Sequence, residues 1–334
     1  HSQRDDVVIY QPHEDLFDVE FRHGLQFGAH RLQWGAGYRR AKDHIRPGVF
    51  FGFVPARRTL SWKNLYVQGD ARLGQTVDLT VGVKLEHNGY TGTEVLPTAR
   101  LAWRPSDESL WWAAVSRAVR APARLDREIV LPPAPPYIIA GGPHFDSEVA
   151  VVYELGYRTL IGDDLTFSAT VFHHEWDRLR SGQTPPDAQV QNRISGHTRG
   201  VEAWGTWQPL RTWRLVGGLT TLHKRLRLDE GSTDPVGPSN LGNDPEYQLS
   251  LRSSWTLPHG QELDLMLRRV AALPEPRVPA YTAVDLRYGW RIAPGLELAL
   301  VGRNLLDAGH VEFGAEPDRS EIARSAMVQL RWWP

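Results

Sequence analysis

Tyr281-Thr282-Ala283-Val284-Asp285-Leu286-Arg287-Tyr288-Gly289-Trp290-Arg291-Ile292 places Val284, Leu286, Tyr288 and Trp290 on even positions and Asp285, Arg287, Gly289 and Arg291 on odd ones. Successive side chains of a strand point to opposite faces, so this period of two predicts a strand with one apolar and one charged face. Ala293-Pro294-Gly295 then supplies a tight turn. The chain returns through Leu296, Leu298 and Leu300, with Glu297 and Arg303 on the other side, and ends in Asn304-Leu305-Leu306-Asp307. Segment 279–307 therefore reads as an antiparallel hairpin with one greasy wall and one wet wall.

The same pattern recurs almost from end to end. Phe17, Val19, Phe21, Leu25 and Phe27 alternate with Asp18, Glu20, Arg22 and Gln26, and Leu32, Trp34, Ala36 and Tyr38 with Arg31, Gln33, Gly35 and Arg39. Val77, Leu79, Val81, Val83 and Leu85 oppose Asp78, Thr80, Lys84 and Glu86. Fifteen such runs are legible, with 6–11 a candidate sixteenth, and no stretch reads as a long amphipathic helix. Several runs reach ten residues or more, against about 5–6 for an ordinary soluble strand. Short turns at 28–30, 74–75, 105–107, 161–163, 209–211, 258–260 and 293–295 separate long, Pro- and Gly-rich connections at 42–60, 120–147, 180–195, 227–243 and 306–320. That asymmetry is foreign to a compact soluble domain and expected of an outer-membrane barrel, which has short turns on one rim and long loops on the other.

Composition is consistent with this reading. Lys and Arg number 38 against 39 Asp and Glu, a formal net charge of −1, which gives no electrostatic reason for a nucleic-acid partner. The absence of cysteine excludes a disulfide framework and a thiolate metal site, and suits a chain that crosses an oxidising periplasm. Mean hydropathy is −0.40, and no run approaches the roughly 18 apolar residues of a membrane helix. A barrel is compatible with both, because half of each strand faces water. The 13 Trp, 10 Tyr and 10 Phe gather toward strand ends, as at Trp34, Trp103, Trp111-Trp112, Trp290 and Trp332, where interfacial girdles would lie. A soluble β-sandwich or propeller would use the apolar face as core. It leaves the strand length and the charged second face unexplained, and no repeat of about 40–45 residues marks propeller blades. The reading is all-β: a transmembrane antiparallel up-and-down β-barrel of 15–16 strands in the bacterial outer membrane. The chain begins at His1 without a methionine or an apolar leader, so the expectation is a mature form or a fragment.

Four short segments resemble one family. Ser116-Arg117-Ala118-Val119-Arg120-Ala121-Pro122 resembles the Ser-x-x-x-Arg-x-Pro segment of TonB-dependent outer-membrane receptors. Glu154-Leu155-Gly156-Tyr157-Arg158 resembles their next strand opening, Arg199-Gly200-Val201-Glu202 their Arg-Gly-Val-Glu strand, and Asn304-Leu305-Leu306-Asp307 the segment before the last loop, with His310 where an aromatic is usual. Each motif alone is weak; the four in family order cover essentially the whole chain. Transporters of this kind have 22 strands and a plugged lumen. The resemblance therefore implies that residues 1–334 are the C-terminal portion of such a barrel, with the plug, the TonB-contacting box and the first strands lying elsewhere. It implies uptake of a scarce nutrient, first a ferric siderophore, with cobalamin, haem, copper or a glycan behind it. The implied partners are that small metal chelate, outer-membrane lipid, TonB through the plug region, and the barrel-assembly machinery. The last of these reads the final strand. Val328, Leu330 and Trp332 alternate outward there, and the next slot is Pro334, which has no amide donor, so the end signal is degenerate or shifted to Trp333. A plug-free, porin-like channel and a structural or adhesive barrel are the alternatives.

No cofactor and no metal centre are expected. Arg117, Arg120 and Arg124 enter a long loop as a basic cluster, open to two roles: contact with an anionic ligand, or a luminal salt-bridge network. His174 and Trp176 share the parity of the polar face and His173 does not; one inward His without a second ligand is no metal site. Tyr137, His144 and His310 lie in long loops, where they either meet ligand or are simply exposed. No Gly-x-Ser-x-Gly elbow, phosphate-binding loop or His-Glu-x-x-His motif occurs, so no catalytic residue is assigned and no enzyme is expected.

Overall fold

A computed structural model describes residues 2–3, 8–185 and 188–333. Fifteen long strands follow one another in sequence order through a single antiparallel sheet. They are β1 (Tyr10–Phe27), β2 (His30–Pro47), β3 (Arg57–Leu73), β4 (Val77–Asn88), β5 (Gly92–Ser106), β6 (Ser109–Arg120), β7 (Glu148–Ile161), β8 (Leu165–Gly182), β9 (Val190–Leu210), β10 (Trp213–Leu228), β11 (Tyr247–Leu257), β12 (Gln261–Val270), β13 (Tyr281–Ala293), β14 (Leu296–Arg303) and β15 (Ser325–Trp332). The sixteenth member is the pair Ser2–Gln3 against β1, with Ser2 opposite Glu14. The candidate strand at 6–11 is not separate: Tyr10 and Gln11 open β1, and positions 6 and 7 lie outside the described residues. The strand order is linear, and Ser2–Gln3 does not pair with β15, so the described residues form an open wall.

The register divides that wall into two faces, because residues opposite each other on neighbouring strands point the same way. One continuous row passes Arg31, Asp70, Thr80 and Arg100, and another Arg39, Trp62 and Asn88. The intervening rows hold Trp34, Val67, Val83 and Pro97. The apolar rows stay exposed on the isolated sheet, with Phe17, Val81, Leu155 and Val171 all more than half accessible. A large, well-ordered apolar surface of this kind has lipid as its solvent. One margin of that band carries rings: Trp213 stacks on Trp255 at 4.4 Å, Trp207 lies 6.2 Å from Trp213, and Trp111 lies 4.4 Å from Tyr157. The polar rows are cross-linked by charge pairs such as Arg39–Asp18 at 2.8 Å, Arg252–Asp264 at 3.0 Å and Arg287–Glu262 at 3.1 Å.

Glycines on the polar face make room for large rings opposite them. A Cβ on Gly156 would stand 2.1 Å from the Trp112 indole, its cross-strand partner. Gly200 does the same for Phe172, and Gly35 for Tyr66. Each ring covers the backbone that the missing side chain leaves bare.

The long connections share one rim, but two are shorter than expected. β8 and β9 continue to Gly182 and from Val190, so the loop expected at 180–195 contracts to 183–189. Register shifts around Leu179 absorb the twist, and the ladder survives because Arg178 takes a left-handed conformation, φ 57°. Likewise β2 and β3 extend into 42–60 as far as Pro47 and from Arg57. The same rim also carries the tight turn at 89–91 and the connection 271–280, neither of which stood out as a long loop.

Two expected outcomes follow from the faces. Val81→Lys, mid-strand on the apolar side, costs about 2–4 kcal/mol in unfolding from bilayers, whereas Thr80→Lys costs far less; equal costs would contradict the face assignment. Gly156→Ala is destabilising by about 1–3 kcal/mol in the native background and close to neutral once Trp112→Ala has emptied the space, a coupling that a double-mutant cycle reads directly.

Candidate functional site

Residues 121–147 form a folded ledge across the inner side of the rim. Ala121-Pro122-Ala123 leads into one helical turn, Arg124–Arg127, where the Asp126 carboxylate accepts a hydrogen bond from the Ala123 amide at 2.8 Å. Ile129–Leu131 then pairs on one side with Gly52–Phe53 and on the other with Ile139–Ala140. This small sheet closes over Ile45, Phe53 and Ile129, with Tyr10 and Phe51 against them. Gly142 lies so close to the Val190 carbonyl that a Cβ would overlap it at 1.8 Å. The ledge thus reaches from β2 to β9.

Ion pairs hold it in place. Arg124 is 6% exposed, paired with Asp43 at 3.0 Å and Glu128 at 2.6 Å; it also donates to the Pro55 carbonyl and lies over the Phe53 ring. Arg120 pairs with Glu148 and, at 2.8 Å, with Asp126, which Arg180 approaches at 3.3 Å. Arg178 reaches Asp146 at 2.6 Å. Asp43, Arg58, Arg120 and Glu148 pair across the sheet as Asp43 with Arg58 and Arg120 with Glu148, on the luminal side. Burying such charges is tolerable only because each meets a partner. Tyr90, in the tight turn beneath, donates to Glu128 at 3.0 Å and has the Arg58 and Arg127 guanidinium groups over its ring, 5.5 and 5.0 Å from the centre. Burial first, and then the Glu128 charge, push its phenol well above the ordinary tyrosine range, so it stays a neutral donor. Arg127 donates to the Phe145 carbonyl, and among the described residues no carboxylate lies within 4 Å of its guanidinium. Burial pulls its pKa below the usual guanidinium value.

The residues singled out by sequence are dispersed. Arg120 and Arg124 brace the ledge. Arg117 lies on the outward-parity row with Val115 and Val119. It donates to the Val95 carbonyl at 2.8 Å and to Glu94 at 3.1 Å, beside the point where the β5–β6 ladder stops at Thr98–Ser116. Pro97 follows that break and has no amide to continue it. His174 and Trp176 point inward as their parity requires; His174 stacks on Phe172 at 4.9 Å and Trp176 donates to Thr198 at 3.1 Å. Tyr137 is half-buried and His144 exposed in the ledge. His310 is buried, stacked on Tyr281 at 4.1 Å and 3.0 Å from Glu312. Burial alone would raise the Glu312 pKa; the hydrogen bonds from His310 and Tyr281 and the Arg268 charge hold it below the usual carboxylate value. Asn304 of the Asn-Leu-Leu-Asp segment takes φ 51° and donates its side-chain amide to the Ile322 carbonyl at 3.0 Å, which ties down the last loop.

Tyr90, Arg58, Arg127 and Glu128 went unnoticed in the sequence. The only trace of them there is the charge alternation of Arg124, Asp126, Arg127 and Glu128. Below the ledge, β1–β4 line a luminal groove of about 650 Å³ with Glu14, Asp18, Glu20 and Glu86 against Arg39 and Lys84, and with Trp62 and Tyr66 in its wall. Together, ledge and groove can hold a polar, ring-bearing or charged solute against the inner wall. Among the described residues no cluster of His, Asp and Glu could hold a metal ion.

Comparison with known proteins gives a consistent result. The family described as TonB dependent receptor-like, beta-barrel matches residues 2–305. The siderophore receptor PirA from Pseudomonas aeruginosa superposes with a TM-score of 0.70 at 15% identity, covering 97% of this chain and 57% of that one. PirA from Acinetobacter baumannii gives 0.74 at 11% identity, covering 97% and 55%. The FrpB iron transporter from Neisseria meningitidis gives 0.73 at 12%, with the same coverages. The chain thus spans little more than half the length of these structures. A search of curated proteins finds no match. With the wall, the two faces and the one-sided loops in place, the chain belongs to the TonB-dependent receptor β-barrel family, and its strands cross the bacterial outer membrane.

Proposed function

We propose that these residues are the C-terminal portion of the barrel of a receptor that takes up a scarce metal chelate, first a ferric siderophore, with energy relayed from TonB through a plug. The observation that carries the proposal is the braced ledge. It sets Arg58 and Arg127, held over the Tyr90 ring, at the luminal mouth, where an anionic, ring-rich chelate would meet their guanidinium groups before it descends the polar wall. The names of the similar structures, two siderophore receptors and an iron transporter, support the same ligand class. The open edges and the coverage of about half of each similar chain support a partial barrel. The plug would face the acidic groove of β1–β4, and the assembly machinery would meet β15.

A porin-like channel is favoured by one feature, an inward loop bearing both signs of charge. In the ledge, however, the opposite charges are mostly spent on each other, as Arg124 with Asp43 and Glu128, and they stand at the rim.

The test is uptake of radiolabelled ferric enterobactin, within a panel of catecholate and hydroxamate chelates, by cells whose only receptor is the full-length protein. The expected outcome is saturable uptake that an uncoupler abolishes. Arg124→Ala would remove the ion-pair partner of the partly buried Asp43 and one of the two cations on the buried Glu128, which keeps Arg58 at 3.2 Å, at a local cost of about 1–3 kcal/mol. That variant should lose affinity roughly tenfold or more while the barrel still assembles. Uptake linear in concentration and indifferent to the uncoupler would instead establish the channel.

A further inference from the structure

The outward face of β8, β9 and β10 changes character abruptly along the strands. Its lower rows are uncharged and mostly apolar: Phe167 beside Gly205, then Ala169, Ala203 and Leu219, then Val171, Val201 and Thr221. The next row holds His173, Arg199 and His223, the one above it Glu175, His197 and Arg225, and beyond that Arg227 lies opposite Ser195. All keep the lipid-facing parity. The two ends of the band therefore differ in kind: neighbouring, uncharged tryptophans at Trp207, Trp213 and Trp255 on the short-turn side, guanidinium and imidazole groups on the long-loop side.

These cations are not used internally. Arg199, Arg225 and Arg227 are exposed, and among the described residues no carboxylate lies within 4 Å of any of them. Arg225 donates to His223 at 2.9 Å, and the His173 and His197 rings lie 5.5 Å apart. Arg199 and His223, with Glu246 also on its border, line a groove of about 370 Å³ floored by Val171, Val201 and Thr221. A lipid-facing arginine is tolerated at the edge of the hydrocarbon, where the cost falls toward zero, and not at its centre. At that depth the abundant anions are lipid headgroups, and a guanidinium matches a phosphate with two parallel hydrogen bonds.

We propose that Arg199 and Arg225, with His223, form a site for the phosphorylated headgroup of an outer-leaflet lipid, whose acyl chains lie along Val171, Val201 and Leu219. The arrangement fixes which side of the band faces the outer leaflet and gives the mobile bilayer a defined attachment on three adjacent strands. It rests on the membrane-spanning fold and not on the identity of any transported solute.

The experiment is native mass spectrometry of the full-length protein in detergent, with bisphosphorylated lipid A, its dephosphorylated form and phosphatidylcholine as probes. Lipid A should be retained in preference to the other two. Arg199→Gln with Arg225→Gln should weaken retention at least about tenfold, as expected for losing two interfacial cations, while Arg158→Gln on the luminal face should not. Unaltered heat-modifiable migration on gels checks that the double variant is folded. If it fails to fold, the ranking of the three lipids on the unsubstituted protein still decides. Equal retention of dephosphorylated lipid A, or undiminished retention by the folded double variant, would overturn the site. Displacement of lipid A by millimolar inorganic phosphate would make it a free-anion site and overturn the lipid assignment.

Discussion

In hydrocarbon an unpaired amide or carbonyl costs several kcal/mol, so the backbone ladder is the constraint on which this structure depends. Fifteen strands satisfy it by pairing with sequence neighbours, which leaves side chains free to make one face of the wall apolar and the other polar. The departures from the ladder are informative. At Pro97 the β5–β6 pairing stops, and the Arg117 guanidinium donates to the Val95 carbonyl in place of a strand amide. Around Leu179 the β8–β9 pairing shifts register, and Arg178 takes the unusual backbone angle that lets the hairpin go on. In both places an arginine stands where the backbone alone falls short.

The two faces impose different chemistry. On the lipid side, energy comes from apolar area, and among the described residues the charges lie at the margins. On the luminal side, opposite charges on adjacent strands neutralise one another within about 3 Å, and glycine–aromatic pairs cover exposed backbone. Such half-exposed ion pairs contribute little each, about 0–1 kcal/mol, and their greater effect is to hold the register of a polar surface that has no packed core. The ledge is the exception. There Arg124 and Glu128 are nearly fully buried, and each has a second partner, Asp43 for Arg124 and Arg58 for Glu128, so the buried charges are held as a network.

Periodicity made the wall legible. A one-residue slip would turn every side chain to the wrong face, so the alternation in 281–292 determines both the strand and its orientation. The inward direction of His174 and Trp176 and the outward direction of His173 follow from parity alone. The ledge could not be read this way, because its contacts join residues as distant as Asp43 and Arg124, and loop chemistry has no period. The extent of the β8–β9 hairpin was hidden by Pro185 and Pro186 nearby, which suggested a longer loop. Gly156 and Asn304 were recognisable as parts of motifs, yet their physical reasons, an indole at 2.1 Å and a left-handed turn tied to Ile322, appear only in three dimensions.

The central claim is that parity divides lipid from lumen, and residues 1–334 hold no cysteine that would compete with one introduced among them. Single cysteines placed one at a time from Asp78 to Glu86 in the full-length protein, labelled with a fluorophore and reconstituted in bilayers, can be quenched from the lipid or from water. The account predicts that Leu79, Val81, Val83 and Leu85 respond to the lipid-borne quencher and that Asp78, Thr80, Lys84 and Glu86 respond to the aqueous one, alternating residue by residue. Adjacent positions with the same quencher preference along that strand would contradict it.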